Sequence, residues 1–374
     1  MPKEIYAIAT LVASIVGVGI FSLPYITAQV GLFTMLGYFL ILGGVMFILY
    51  LMFAEVSLVT PDYKRLPGFA EYHLGPLAKK IALGSMVISS LGSILAYLIV
   101  GGEFLSGILD PIFKIGSGDS SAFYTFLYGL IGTALIFLGI KAIAKIEFWG
   151  FVLFFVVLGA LFFFGLPFFK LSNLAVKTGD LSSLFLPYGA IVFSLWGLDM
   201  IPEIEEMLGK HNKKKLLKKV IVISLLLTLA IYFFFIFLTL AIAGAGVNDS
   251  AIASLRDIVG PGAATVGFIF GLIATFTSFI TSGLTLEKVL HYDLKISKTV
   301  SFGLTCFIPL IVFFIGVQQF IPVISLVGGT MMGVNGLLIL AMYNKIRPQK
   351  KWLMFPLIIL LMAGMILEII YFVK

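Results

Sequence analysis

The stretch SIVGVGIFSLP at residues 14–24 places two glycines, two serines and a proline in the middle of the first long apolar run of the chain. The stretch FSLWGLDMIPE at residues 193–203 places a glycine, a serine and a proline in the sixth apolar run and adds two carboxylates. Glycine and proline both weaken an α-helix, because glycine adds backbone freedom and proline removes a hydrogen-bond donor. These paired interruptions predict two broken helices, in corresponding places, around Gly17 and Gly197.

The composition places these interruptions inside a membrane. Of the 374 residues, 60% are hydrophobic and 11% are charged, whereas soluble domains carry about 25% charged residues. The mean hydropathy of +1.14 excludes a soluble enzyme. A spanning helix needs about 20 apolar residues, and the runs are continuous rather than alternating, which excludes transmembrane strands. Eleven helical spans are predicted, at residues 5–30, 32–58, 77–109, 122–142, 146–168, 184–208, 217–245, 262–288, 299–317, 320–344 and 352–373.

The cations indicate the orientation of these spans. With a cytoplasmic N-terminus, 20 of the 25 lysines and arginines lie on the inner side, as the positive-inside rule requires. The sequence therefore predicts a multi-pass protein of the cell membrane with its C-terminus outside. The net charge of +7 records this topology and does not indicate a nucleic-acid partner. The lysine-rich stretch at 210–219 is interpreted as an ordinary cytoplasmic loop, with an anionic-lipid patch as the alternative.

The two interruptions each begin a block of five spans, at residues 5–168 and 184–345, followed by an extra helix at 352–373. An odd number of spans makes the second block inverted relative to the first, and paired breaks of this kind point to a transport site at the bilayer midplane. Unwound backbone exposes N–H and C=O groups that hydrocarbon cannot satisfy. An α-amino acid, with its carboxylate and its ammonium group, would bind both. The alternative is that the glycines only permit close helix packing.

Three intramembrane carboxylates are candidate gating or coupling residues, since an acid at the centre of a span is costly. Asp199 and Glu203 are four residues apart and share a helix face, and Glu103 lies in the third span. Each could instead bond nearby backbone or face a vestibule. The loop at 246–261 is predicted to be an outer lid, in which Asn248, Asp249 and Ser250 cap a short amphipathic helix that ends at Gly260.

The eighth span offers neighbouring hydroxyls at Thr277 and Ser278. Together with carbonyls of a broken helix, they would form the oxygen cage that a hard cation such as sodium requires. The alternative is that these hydroxyls bond their own helix backbone.

The segments GVGIFSLPY (17–25), AYLIVGGEFL (96–105) and FSLWGLDMIPEIEEML (193–208) resemble the amino acid/polyamine/organocation transporter superfamily. The similarity is closest to the amino acid/auxin permease and bacterial aromatic amino acid permease branches. It implies an all-α, LeuT-like fold of five plus five inverted helices with an eleventh helix. It also implies alternating access, in which the first and sixth spans move against a scaffold.

The resemblance also implies roles for individual residues. The substrate carboxylate would meet the backbone N–H groups of Gly17, Val18 and Gly19. Its ammonium group would meet the carbonyls of Ile15, Phe193 and Ser194. Its side chain would face the aromatic rings of Phe21, Tyr97, Phe193 and Trp196. A sodium ion would be held by the carbonyls of Ala13, Val16 and Ala274 and the hydroxyls of Thr277 and Ser278. Some proton-coupled relatives carry a lysine from the fifth span at this position, and here Lys141 and Lys145 lie only at its cytoplasmic edge. That difference favours sodium, while Asp199, Glu203 or Glu103 could carry a proton.

The predicted function is secondary active symport of a neutral, hydrophobic or aromatic amino acid with sodium. A proton-coupled permease or exchanger is the alternative, and a channel or receptor is a more distant one. An enzyme is not expected, because no histidine lies in the core of a span and no phosphate-binding loop is present. No cofactor is expected beyond a possible bound sodium ion, and the expected partners are the amino acid, Na⁺ or H⁺, and membrane lipid.

Overall fold

The computed structural model describes residues 3–61, 64–113, 120–138, 143–175, 183–209 and 213–373. These residues are almost entirely helical, because in lipid each helix satisfies its own backbone. The α-helices, numbered along the chain, are α1 (Lys3–Ile15), α2 (Leu23–Val30), α3 (Leu32–Val59), α4 (Leu66–Leu74), α5 (Pro76–Phe113), α6 (Ser120–Phe137), α7 (Ile143–Gly165), α8 (Pro187–Ser194), α9 (Ile201–Leu208), α10 (Lys213–Ala243), α11 (Ile252–Val259), α12 (Pro261–Lys288), α13 (Lys298–Phe314), α14 (Phe320–Leu326), α15 (Gly333–Ile346) and α16 (Lys351–Val373).

Most of the predicted spans correspond to these helices. Within the described ranges, six helical segments are long and apolar enough to cross a membrane, and a bent pair forms a seventh: Leu32–Val59, Pro76–Phe113, Lys213–Gly246, Thr265–Asp293, Phe320–Ile346, Trp352–Phe372, and the pair Lys3–Ile15 with Val18–Val30. The other predicted spans coincide with shorter apolar helices and with α8 and α9. The total of eleven crossings stays a prediction.

Both predicted helix breaks are confirmed, and they share one local pattern. The first lies at Val16 and Gly17, where the axis bends by 55°, and a 3₁₀ turn at Val18–Phe21 then leads into α2. The second lies between α8 and a 3₁₀ turn at Leu198–Met200, which leads into α9. Proline is the second residue of both α2 and α9. It is tolerated there because the first helical N–H groups have no intrahelical partner.

Two features depart from the sequence expectations. The connection after α3 was expected to be a loop, and it contains the nine-residue α4, whose Phe69 and Ala70 are buried. Nine residues are too few to give a strong periodic signal. In the lid, the predicted side-chain cap is wrong: α11 begins after Ala251, which has a φ of 50° and makes no capping bond. Gly260, with a φ of 102°, ends α11 as predicted.

A close backbone approach positions the second break. Gly189 of α8 packs against Ser325, and a Cβ atom on Gly189 would lie 2.7 Å from the Ser325 Cα atom. A Cβ atom on Gly328 would likewise lie 2.7 Å from the Phe193 backbone nitrogen. Gly328 belongs to a π-helical segment at Val327–Met332 between α14 and α15. Small residues at this contact hold α8 tightly against the tenth predicted span.

Candidate functional site

The two breaks cross each other in the centre of the molecule. A Cβ atom on Gly19 would lie 3.0 Å from the Cα atom of Ser194, so the backbones are in contact there. At Gly197, a Cβ atom would lie 2.5 Å from Ile15 Cγ1, 2.7 Å from Tyr50 Oη and 3.4 Å from Ser14 Oγ. Neither position has room for a side chain, which explains why the crossing needs glycine.

Gly17 faces a different environment from that of the other two glycines. A Cβ atom on Gly17 would have a single neighbour, Tyr97 Oη, at 3.8 Å. The Tyr97 hydroxyl bonds the side chains of Ser278 and Ser282 on α12. Val18 and Gly19 begin a 3₁₀ turn, so their N–H groups have no partner within it. The structure therefore brings Gly17, Tyr97 and Ser278 together around these backbone donors.

Two tyrosine hydroxyls satisfy the carbonyls that unwinding leaves free. Tyr232 of α10 donates towards Ile15 O at 2.9 Å and Ser194 O at 2.5 Å, and so bridges the two breaks. Tyr50 of α3 donates to Leu195 O at 3.1 Å. Neither tyrosine is indicated by the sequence pattern, because each lies in an unbroken apolar run, 145 residues from its partner for Tyr50 and 217 and 38 residues from its two partners for Tyr232. A tyrosine opposite a predicted break is the only signal that could have indicated them.

The aromatic candidates divide into two groups. Phe21 is buried and packs edge-on against Phe104, with ring centroids 5.0 Å apart, on the α2 side of the break. Phe193 and Trp196 are also buried, at the second break. Trp196 Nε1 donates to Asp199 Oδ2 at 2.9 Å, so Asp199 orients the indole. Tyr97 is the aromatic candidate that reaches the open face of Gly17.

Solvent reaches the crossing from the α1 and α9 side. Ser14 is exposed although it lies beside Gly197, and Asp199 is exposed although Leu198 and Ile201 next to it are fully buried. On the opposite side the path is closed, because Val18, Ile20, Phe21 and Phe104 are all buried. The arrangement is a vestibule that opens at one end.

The lid joins the closed side through a carboxylate. Ser250 Oγ donates to Glu103 Oε1 at 2.5 Å, and Ser250 is fully buried. Burial raises the pKa of the neighbouring Asp249 carboxyl in the same loop. Glu103 therefore links the third predicted span to the lid.

Glu203 lies in the first turn of α9, where its carboxylate bonds its own backbone N–H. Negative charge is favourable at a helix N-terminus, so this contact gives Glu203 a helix-stabilising role. Arg65, just before α4, is the cation that interacts electrostatically with both Glu203 and Asp199. The sequence analysis did not single out Arg65.

Hydrogen bonds connect only some of the predicted sodium ligands to their neighbours. Thr277 Oγ1 donates to Ala274 O at 2.9 Å within α12, and Ser278 bonds Tyr97. Ala13 and Val16 lie on the other side, at the end of α1 and in the first break. Across the described ranges, no cluster of three His, Cys, Asp or Glu side chains could hold a metal ion. A cation at this position would therefore depend on carbonyls and hydroxyls.

The fold and its paired, crossing breaks are those of the LeuT fold. The tryptophan/tyrosine permease family matches residues 1–373, so the chain belongs to that family of aromatic amino acid transporters.

Individual relatives agree with this assignment. A tyrosine-specific transport system of Haemophilus influenzae is 26% identical over 347 residues, covering 84% of this chain and 80% of that protein. The crystal structure of MhsT in complex with L-phenylalanine superposes with a TM-score of 0.70 at 15% identity, covering 99% of this chain and 98% of MhsT. The inward-facing conformation of Mhp1 gives a TM-score of 0.72 at 13% identity, covering 93% of this chain and 77% of Mhp1. At these identities the two structures establish the fold alone.

Proposed function

We propose that this protein imports a neutral aromatic amino acid, such as tyrosine or tryptophan, together with a cation by alternating access. The observation that carries the proposal is the open face of Gly17, beside Tyr97 and next to unpaired backbone donors. The family match and the tyrosine-specific relative support the aromatic class of substrate.

The substrate's two charged groups match the two kinds of backbone group at the breaks. Its carboxylate would accept hydrogen bonds from the N–H groups of Val18 and Gly19, because a helix N-terminus attracts an anion, whereas the Gly17 N–H already donates to Ile15 O at 2.8 Å. Its ammonium would bind the carbonyls of Ile15, Phe193 and Ser194. Because Tyr232 has a single hydroxyl hydrogen for Ile15 O and Ser194 O, one of these carbonyls always has a lone pair available.

Sodium is the coupling ion that we propose. The hydrogen of Thr277 Oγ1 points to Ala274 O, which leaves the oxygen lone pairs of the hydroxyl free to bind a cation. The alternative, coupling to a proton carried by Asp199, Glu203 or Glu103, makes a different prediction for ion dependence. In either case, we propose that the N-terminus and the lysine-rich side are cytoplasmic and that the C-terminus is outside.

Uptake into proteoliposomes tests the proposal. Labelled tyrosine, tryptophan, phenylalanine and leucine are offered under an imposed sodium gradient and, separately, under a pH gradient. We expect saturable accumulation of the aromatic amino acids driven by sodium, while accumulation driven only by the pH gradient would support the proton alternative. Electrical current without saturable uptake would instead indicate a channel.

Variants in α12 separate the ion site from general damage. Thr277→Ala removes a proposed sodium ligand and should raise the sodium concentration for half-maximal uptake by about tenfold, which corresponds to about 1.4 kcal/mol. Ser282→Ala is the matched control, because it removes a hydroxyl from the same helix at a position outside the proposed ligand set. Equal sodium dependence in the two variants would remove the site as drawn.

A further inference from the structure

Two cavities lie one after the other along the seam between α3 and α10, and we call them together the α3–α10 groove. At one end lies a cavity of about 300 Å³, and further along lies a second cavity of about 630 Å³. The residues from α3 that line the two cavities include Leu36, Leu40, Gly43, Phe47, Leu51, Glu55 and Leu58, and those from α10 include Lys214, Lys218, Val222, Leu226, Leu229 and Phe233. These positions recur every three to four residues, so each set forms one stripe along its helix.

The middle of the groove is wide because α3 has two adjacent glycines there. A Cβ atom on Gly44 would meet nothing within 4 Å, and one on Gly43 would only reach Leu229 Cδ2 at 3.9 Å. Gly44 is 11 residues from Glu55, which is about 17 Å along a helix at 1.5 Å per residue. Half of the hydrocarbon core is about 15 Å thick. The wide part of the groove therefore lies about one acyl-chain length from its charged end.

The charged end carries cations that a phosphate could bind. Lys218 is exposed, and within the described residues no ion pair is found for it. Lys214 has a side chain that is 73% exposed, and it makes a long contact of 3.5 Å with Glu55. Such an exposed pair is weak, and Arg347 neutralises the same carboxylate at 2.8 Å. Both lysines are therefore available to an anion at the membrane surface.

The floor of the wide cavity is Leu195, the first residue after α8. Leu195 is fully buried in the protein, and its carbonyl accepts the bond from Tyr50. A molecule in the groove would thus pack directly against the second helix break.

We propose that the α3–α10 groove binds one anionic phospholipid, with its phosphate at Lys214 and Lys218 and an acyl chain against Gly44 and Leu195. The cationic end of the groove matches the phosphate of such a lipid, and the apolar middle and the length of the groove match its acyl chain. The site is separate from the amino acid site, so its test does not depend on transport.

Lipid retention by the purified full-length protein tests the headgroup. The protein is mixed with equal amounts of phosphatidylglycerol and phosphatidylcholine, and native mass spectrometry counts the lipids that it keeps. A lysine near a membrane surface contributes about a fivefold gain in binding an anionic lipid, so Lys214→Gln with Lys218→Gln should weaken phosphatidylglycerol retention by about 30-fold. Lys80→Gln with Lys215→Gln removes the same charge from exposed positions outside the groove and should keep it.

A second pair of variants tests the acyl chain. Gly44→Phe fills the wide cavity and should abolish retention, whereas Gly37→Phe makes the same change at an exposed position of α3 outside the lining and should preserve it. Equal retention of both lipids by the unmodified protein, or equal loss in both lysine pairs, would overturn the proposal. The proposal would also be overturned if Gly44→Phe converted a dimer of the protein into monomers without releasing lipid, because a second copy of the chain would then occupy the groove.

Discussion

The two helix breaks look alike in sequence, yet they are held in different ways. The second break is tied down by Tyr50 at Leu195 O, by Tyr232 at Ser194 O, and by the Trp196 bond to Asp199. At the first break, Tyr232 donates to Ile15 O and Ser22 donates to Gly19 O, while the N–H groups of Val18 and Gly19 have no partner within their 3₁₀ turn. The polar groups of the second break are thus largely satisfied by the protein, while donors of the first remain available.

This difference suggests a division of labour between the breaks. Unsatisfied backbone groups at membrane depth require a partner, and at the first break the substrate can be that partner. The second break instead supplies a fixed surface against which the first can close. The close packing at Gly197 and the open face of Gly17 follow the same division.

The largest expected effect comes from substitutions at Gly17 and Gly197. Gly17→Leu would fill the open face and should weaken binding of labelled tyrosine by about 100-fold, near the upper cost of overpacking. Gly17→Ala should bind nearly normally, because its Cβ atom would meet only Tyr97 Oη at 3.8 Å. Gly197→Ala should weaken tyrosine binding as strongly as Gly197→Leu, because the added Cβ atom would lie 2.5 Å from Ile15 Cγ1. Equal tolerance of alanine at both glycines would remove the distinction between the breaks.

Tyr232→Phe should loosen both breaks, because it leaves two buried carbonyls without their donor. The loss of a buried hydrogen bond costs about 1–3 kcal/mol, so we expect the vestibule to open more often. A Ser14→Cys variant reports this opening through labelling by a membrane-impermeant thiol reagent, against a low background from the buried Cys306. The labelling rate should rise by about tenfold.

Tyr50→Phe is the matched control, since Tyr50 bonds only Leu195 O at the second break. It should change the labelling of Ser14→Cys much less than Tyr232→Phe does. If the two variants accelerate labelling equally, Tyr232 has no special role at the first break.

The sequence predicted the fold well because the signals for it are local. Glycine and proline within an apolar run mark a break wherever the chain is placed, and the runs themselves mark the helices. The partners of the breaks depend on packing between distant segments, so Tyr50, Tyr232 and the Ser250 bond to Glu103 could not be read from local pattern. Glu368 shows the same limit: it is buried and bonds the backbone of Gly189, 179 residues earlier in the chain, which no local pattern indicates.

Glu368 contacts the start of α8, the helix that leads into the second break. Its carboxyl group, carried by α16, accepts from the Gly189 N–H at the first turn of α8. The start of α1 at Lys3 has exposed residues instead. Glu368→Ala should lower thermal stability by about 1–2 kcal/mol, measured by unfolding in detergent, while Glu368→Gln keeps an acceptor and should lower it less. Identical losses in the two variants would show that packing, and not the hydrogen bond, is what Glu368 contributes.

The smallest effect is expected at Asp199, the acid closest to the second break. Its Oδ2 atom accepts the indole N–H of Trp196, and an asparagine side chain has an oxygen that can accept the same bond. Asp199→Asn should therefore keep both the uptake rate, within about threefold, and its dependence on pH, whereas Asp199→Ala should impair both binding and uptake. The measurement is the pH profile of labelled tyrosine uptake in proteoliposomes. A flattened profile in the asparagine variant would show that Asp199 moves a proton during transport, and the second break would then be a coupling element as well as a fixed surface.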